Sequence, residues 1–450
     1  MELTTFKDAL FKRAEAEGFS EYELYYVNNK SSSIQVFEGE VDKYSVNASQ
    51  GLSFRGIYNG NMGYANSEIL DEAAIAFLIN SAKENAMVIE KEDREFIYGE
   101  KDNYVEFNAY NEELSKLAPK DKIKFAMDME TEAKVQNFKV IRTENVIEDE
   151  ESYCKIANSK GLDLCFKSNV ILAYLEAIVK DGEDMNSAFA FKGSRVFKEL
   201  SAKNLAKEAV DKSLAYIEAG SMESGKYRAV IENNAAANLL QTFYEIFSAD
   251  NVQKGMSLLK GKINEVIASE VVTIIDNPFL PEGLNSKPFD DEGVASYCKE
   301  VIKNGQLKTL LYNLRTALKD KVKSTGNGSK RSYSSPVGIS PSNFYIESGE
   351  KSFKEILNTL ENGVLITELE GLHAGANPIS GDFSLAAKGF LINNGAIESA
   401  VEQITVSGNF YKLLKDIEEV GNDLKFSFPS GEGYFGSPSL LVKEMNVAGK

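Results

Sequence analysis

The residues best suited to metal chemistry are scarce in this chain. Its 450 residues include one histidine, His373, and three cysteines, Cys154, Cys165 and Cys298. A zinc protease of the His-Glu-x-x-His type needs two histidines one helical turn apart, so that class is excluded. A zinc finger needs four cysteines, or two cysteines and two histidines, and is disfavoured by the same counts. We expect reduced thiols in a cytoplasmic protein.

Two other groups could take part in chemistry. His373 could act as a general base, because histidine titrates near neutral pH, and it lies in a loop of small residues. Asp290, Asp291 and Glu292 could form an acid pair or a site for a hard metal ion. A surface or packing role for the histidine and a solvated turn for the acidic run are the alternatives. The residues alone leave these possibilities open.

Charge and hydropathy exclude two kinds of partner. With 50 Lys and Arg against 68 Asp and Glu, the net charge is −18. Nucleic-acid binding needs an excess of positive charge, so we expect no direct contact with DNA or RNA. No apolar run approaches the roughly 18 residues of a membrane span. The segment 1–7 lacks a basic region followed by an apolar core, so we expect no signal peptide.

Periodicity and turn residues predict an α+β fold. An amphipathic helix over 3–16, strands separated by turns at Gly39 and Gly60, and a helix over 69–86 form one unit. A helix over 111–135, strands between 140 and 191, and a helix over 201–217 form a second. We therefore predict an N-terminal region, 1–220, of two repeated helix–strand–helix units, about 1–89 and 104–220, with a linker at about 90–103. A mixed α/β C-terminal domain, 221–450, follows, with a turn at Ser407-Gly408.

Several segments resemble the TldD/PmbA family, in the family's order and with similar spacing. In the C-terminal half they are Gly363–Leu369, Asn377–Ser384, Lys388–Gly395, Ile404–Asn409 and Val420–Leu424. Further upstream they are Glu38–Asp42, Gly51–Arg55, Pro288–Val294 and Lys323–Asn327. The resemblance covers nearly the whole chain and implies the α+β fold of that family.

The family has two branches, and the zinc-binding residues distinguish them. The resemblance implies that zinc in the TldD branch is held by a His-Glu-x-x-x-His motif on a helix and by a later cysteine. The motif's key positions fall on Gln241, Thr242 and Ile246, and the cysteine position falls on Phe435. None of them matches, and the segment 439–449 resembles the PmbA branch, also called TldE. We therefore expect no zinc or other cofactor in this chain.

The resemblance implies a function in proteolysis. PmbA-like proteins are cytoplasmic partners of TldD-like proteases, and the pair trims leader peptides and degrades unfolded polypeptides. The family is also described as a modulator of DNA gyrase. The net charge of −18 gives no support for direct contact with DNA. We expect a non-catalytic subunit that helps to form the chamber, with zinc only in the partner.

The candidate substrate contacts belong to this subunit hypothesis, and two other functions are alternatives to it. A peptide would lie extended against a sheet edge, because main-chain pairing accepts any sequence. The candidates for the cleft wall are His373, Asn377, Asp382 and Ser384.

One alternative function is that of a stand-alone peptide hydrolase with an unrecognised site, such as a carboxylate metal site at residues 290–292. Another is a peptide-binding homodimeric scaffold, and a homodimer could also form when no partner is present.

Overall fold

The computed structural model describes residues 1–88, 95–100, 102–429 and 431–450. The predicted linker at about 90–103 therefore lies partly outside the described residues. The predicted α+β class is confirmed by the helices and the three six-stranded sheets of these described ranges. None of the helices in the described ranges has the length and apolar character that crossing a membrane requires.

The N-terminal region repeats the order helix, three strands, helix. The first group is α1 Leu3–Ala16, β1 Glu21–Phe37, β2 Glu40–Tyr58, β3 Asn61–Ser67 and α2 Glu72–Val88. The second group is α3 Glu112–Ser115, α4 Pro119–Gln136, β4 Val140–Asn158, β5 Asp163–Asp181, β6 Asp184–Ser194 and α5 Ala202–Leu214. All six strands form one antiparallel sheet in the order β3-β2-β1-β4-β5-β6. The division into separate units stays a prediction, since one sheet joins both groups.

The strands are longer than predicted, and one helix is divided. The polar stretch 28–33 continues β1 because its backbone pairs with β2 on one side and β4 on the other. The predicted turns at Gly39 and Gly60 are confirmed, and both glycines have positive φ. The single helix predicted over 111–135 is wrong. Pro119 begins α4, since proline fits a first helical turn but removes a hydrogen bond from a helix interior.

The two faces of the N-terminal sheet have different partners. Alternate residues of a strand point to opposite faces. Leu24 and Ile34 are fully buried in the two cores formed with the surrounding helices. Tyr25, on the other face, packs in a cluster with Phe289 of the C-terminal domain. The helix-free face therefore meets the C-terminal domain.

The C-terminal domain contains two further six-stranded sheets. Its first elements are β7 Gly225–Ile231, α6 Asn233–Phe243, α7 Ala249–Gln253, β8 Ile274–Asp276, β9 Lys299–Lys303, β10 Gln306–Leu307, α8 Leu314–Asp320, β11 Gly328–Ser329, β12 Gly338–Ile339 and β13 Asn343–Ile346. The remaining elements are α9 Phe353–Leu360, β14 Gly363–Glu370, α10 Leu372–Gly375, β15 Asp382–Asn393, β16 Ala396–Asn409, α11 Phe410–Asp416, β17 Ile417–Val420, β18 Lys425–Phe426, β19 Tyr434–Ser437 and β20 Leu440–Ala448. The strand orders are β10-β9-β8-β13-β19-β18 and β16-β15-β14-β7-β20-β17, and β16 also pairs with β20, which closes the second sheet on itself. Helix α6 contacts strands of both sheets.

The turn predicted at Ser407-Gly408 is wrong, because both residues lie inside β16. Gly408 pairs with Phe383 of β15. A Cβ on this glycine would lie 2.9 Å from the Phe383 ring, so the missing side chain makes room for packing between strands. A glycine at a close approach and a glycine in a turn produce the same sequence pattern.

Candidate functional site: a cavity between the N-terminal sheet and the C-terminal domain

A cavity of about 1030 Å³ lies where the two parts of the chain meet. Strands β2 and β3 contribute Ser53, Arg55 and Tyr64 to its wall. The opposite wall contains Tyr244 and Glu245, which follow α6, and much of the loop 329–340. Ligand pockets usually measure about 300–1,000 Å³, so this volume suits a short peptide. A second cavity of about 230 Å³ shares residues 329–331 of the same loop.

Two buried aspartates hold this loop in place. Asp290 Oδ2 accepts the N–H of Gly328 at 2.8 Å, and Asp291 Oδ2 accepts the N–H of Lys330 at 2.8 Å. The other oxygen of Asp290 accepts two N–H groups of its own turn, at 2.9 and 3.0 Å. A Cβ at position 328 would lie 2.9 Å from an Asp290 oxygen, so glycine is needed there. The acidic run is therefore an anchor for the loop.

Glu292 completes this anchor. Its Oε2 accepts the N–H of Leu314 at 2.7 Å, at the start of α8, and its Oε1 lies 3.7 Å from Arg55 Nη1. Burial raises the pKa of Glu292 and of Asp290, and the neighbouring Glu292 charge adds to the rise for Asp290. In the described part of the chain, no three His, Cys, Asp or Glu side chains are placed to hold a metal ion. A metal at the acidic run would have to displace backbone hydrogen bonds.

A buried ion pair forms part of the cavity floor. Arg55 Nε and Nη2 both lie 2.8 Å from Glu23 Oε1, and the two residues are cross-strand neighbours in β2 and β1. Asn158 Nδ2 donates to the other Glu23 oxygen at 3.3 Å. Arg55 is 5% exposed and Glu23 is 1% exposed. Because both groups are shielded from water, each buried charge is stabilised by the opposite charge of its partner.

Lys330 points from the loop to the same floor. Its Nζ donates to Ser53 Oγ at 2.7 Å and lies 4.5 Å from the centroid of the Tyr25 ring. Among the described residues, no carboxylate oxygen is within ion-pairing distance of this ammonium. Burial, followed by the repulsion of Arg55, lowers the pKa of Lys330 to about 8, although three nearby carboxylates act in the opposite direction. Within the described ranges, the lysine is thus a cation without a close counter-ion.

The positions at which the family resemblance places the zinc motif lie beside this cavity. Gln241 and Thr242 are in the last turn of α6, directly before the cavity residues 244 and 245. The Thr242 hydroxyl donates to the carbonyl of Asn238 at 2.8 Å. Ser427 donates its hydroxyl to Gln241 Oε1 at 3.2 Å and its N–H to the carbonyl of Phe435 at 2.8 Å. The structure thereby brings positions 241 and 435 together.

The other two positions are filled by packed apolar side chains. Ile246 lies on a 3₁₀ turn, Tyr244–Phe247, and is 1% exposed. Phe435 on β19 is fully buried, with its ring centroid 5.1 Å from that of Tyr244 and 6.2 Å from that of Phe344. Zinc takes thiolate, imidazole and carboxylate ligands. These residues do not fit a zinc ion, because an isoleucine and a phenylalanine have no donor atom.

The four residues predicted for the cleft wall lie together on another surface. His373 is exposed on α10, which packs against β15, and Asn377, Asp382 and Ser384 are also exposed. Asn409 donates to Asp382 Oδ1 at 2.8 Å, and this bond lowers the pKa of that carboxyl. None of the four lines either cavity described above. Their contact with a peptide stays a prediction.

Sequence patterns do not single out Ser53, Arg55 or Lys330. One signal in the sequence is the segment 51–55. Its glycine, Gly51, is required by the packing of the loop on the sheet. A Cβ on Gly51 would lie 2.3 Å from the Tyr333 ring, so a larger residue would push the loop away from the sheet. A second signal is that polar residues lie in a non-edge strand, on the sheet face that contacts another domain.

Comparison with known proteins agrees with this fold. The model described as PmbA/TldA metallopeptidase domain 1 matches residues 22–86, the central-domain model matches 112–216, and the C-terminal-domain model matches 224–449. The fold is that of a metallopeptidase-related α+β protein. The chain belongs to the PmbA/TldD family.

Similar proteins extend over nearly the whole chain. An uncharacterised protein of Methanocaldococcus jannaschii is 30% identical, over 97% of this chain and 98% of its own. The metalloprotease PmbA of Escherichia coli O157:H7 is 26% identical, over 93% and 90%. A crystal structure of a proposed modulator of a DNA gyrase from Thermotoga maritima has a TM-score of 0.92 and 34% identity, over 99% and 100%. TldE from Thermococcus kodakarensis, at 24% identity over 98% and 100%, shares the fold with a TM-score of 0.89.

Proposed function

We propose that this chain is a PmbA/TldE-like subunit of a TldD-type metalloprotease that acts on leader peptides or unfolded polypeptides in the cytoplasm. The observation that carries this proposal is the packed core at the ligand positions. Ile246 and Phe435 occupy two of them, while the surrounding family fold is retained. The partner supplies the zinc, and this chain contributes a wall of the chamber and contacts to the substrate.

The cavity beside α6 supports a role in binding peptide. Its wall includes β3, an edge strand of the N-terminal sheet, and the short β11–β12 pair. An extended peptide can pair with such backbone whatever its side chains are. The positive and negative side chains along the cavity add polar contacts at several points. The chain is therefore suited to holding a polypeptide next to a catalytic partner.

Co-expression with a TldD-type protease of the same organism tests the proposal. We expect one complex on size exclusion, zinc in proportion to the partner alone, and degradation of unfolded casein only by the complex. A partner with glutamine in place of the motif's glutamate should form the complex and leave casein intact, since that glutamate acts as general base in such sites. Casein degradation by this chain alone would favour the stand-alone hydrolase. Peptide binding by a homodimer that never joins the protease would favour the scaffold.

A further inference from the structure

One cation of the large cavity has no counter-ion among the residues that the structure describes. Among the described residues that line it, the other lysine and arginine side chains each form an ion pair. These pairs are Arg55–Glu23, Lys254–Asp250, Arg315–Asp250 and Arg331–Glu432. Lys330 instead donates to the neutral Ser53 hydroxyl and lies over an aromatic ring. A half-buried ammonium in this state is a ready site for an anion.

We propose that Lys330 and Ser53 bind a carboxylate, supplied by the C-terminus of a peptide that lies in the cavity. An ammonium has three N–H donors, and Ser53 takes one of them. The remaining donors, together with the Ser53 O–H, can reach the two oxygens of one carboxylate. Charge-assisted hydrogen bonds of this kind are about twice as strong as neutral ones. The inference rests on the proposed peptide-binding function and adds the group that is recognised.

The surroundings favour a singly charged group over a phosphate. Arg55 is engaged by Glu23 and faces Glu292 at 3.7 Å, so it offers little further positive charge. Asp291 holds the Lys330 backbone and lies close to the site as well. A dianion would compensate one ammonium and then be repelled by these carboxylates. A carboxylate at the end of a main chain also leaves the rest of the cavity for the preceding residues.

Calorimetry with the full-length chain alone tests the site. The probes are acetyl-tetraalanine with a free C-terminal carboxylate and the same peptide as its carboxamide. We expect the free acid to bind at least about tenfold more tightly, the effect of one charged hydrogen bond. Lys330→Met should remove this difference. Lys124→Met is the control, because Lys124 lies on α4, lines neither cavity and is paired with Asp128 at 2.5 Å, and it should change affinity by less than about twofold.

Proton uptake by the wild-type chain provides a measurement that does not depend on a variant's folding. The groups that face the lysine are Tyr25, Ser53, Arg55 and Glu23 from the sheet, and Asp291 and Glu292 from the anchoring turn. A bound carboxylate raises the pKa of Lys330 from about 8. Protons are then taken up on binding near pH 8, and affinity falls as the pH rises from 7 to 9.5. Calorimetry in buffers of different ionisation enthalpy measures this uptake.

Any of the following results would overturn the proposal. They are absence of binding by the free acid, equal binding of acid and amide, binding without proton uptake, and Lys330-dependent covalent labelling of Ser53 by a fluorophosphonate, which would mark a nucleophile. A peptide amide with an internal aspartate separates the two sources of carboxylate. If it binds as tightly as the free acid, the site recognises side chains and the C-terminal assignment is wrong. Because these measurements use no partner, failure to form a complex with a TldD-type protease leaves them unaffected.

Discussion

Replacing Arg55 with methionine is expected to lower the free energy of unfolding by about 3–5 kcal/mol, the usual cost of removing one partner of a buried ion pair. Glu23 is 1% exposed and, among the described residues, would be left with Asn158 as its one side-chain donor. Glu292, whose Oε1 lies 3.7 Å from Arg55, would also lose a favourable charge. Urea denaturation followed by circular dichroism measures the loss.

The double variant Glu23→Met with Arg55→Met separates the charge effect from packing. Replacing both members of a buried pair by apolar residues is often close to neutral, so the double variant should recover most of the lost stability. Lys207→Met is the surface control, because the Lys207–Asp211 pair is 62% and 58% exposed and should change stability by less than about 1 kcal/mol. A loss below about 1 kcal/mol for the Arg55 variant would show that water reaches the pair.

Local sequence patterns predict much of this fold because they report local physics. Alternation, turn glycines and helical periodicity place α1 and the first two hairpins close to their observed positions. The patterns fail where pairing partners decide the outcome. The polar run in β1 remains a strand because it has neighbours on both sides, and Gly408 makes room for a ring instead of forming a turn.

The site was harder to predict because it is assembled from distant segments. Ser53 and Lys330 are 277 positions apart and meet only when the loop 329–340 packs on the N-terminal sheet. The acidic run 290–292 is visible as a cluster in the sequence, yet its function as a loop anchor depends on backbone N–H groups of residues 328, 330 and 314. Residue type alone cannot distinguish a carboxylate that binds a metal from one that binds the backbone.

Replacing Phe435 with alanine is expected to lower the free energy of unfolding by about 3–5 kcal/mol, because the ring is fully buried and its removal leaves a cavity. The space would open between Tyr244, which lines the large cavity, and Phe344. Phe138→Ala is the control, since Phe138 is 90% exposed and should change stability by less than about 0.5 kcal/mol. Thermal and urea unfolding measure both variants.

Phe435→Cys extends this experiment to the question of zinc. The variant introduces the thiol that the zinc-binding branch is expected to have. It also removes most of the ring packing that Phe435→Ala removes. A ligand that binds only the folded state stabilises it by about 4 kcal/mol at a thousand times its dissociation constant. We expect no such rescue by zinc, because Gln241, Thr242 and Ile246 provide no thiolate, imidazole or carboxylate to join the cysteine. If zinc raised the unfolding midpoint of Phe435→Cys and left Phe435→Ala unchanged, other donors would have to lie near position 435. The zinc could then not be assigned to the partner alone.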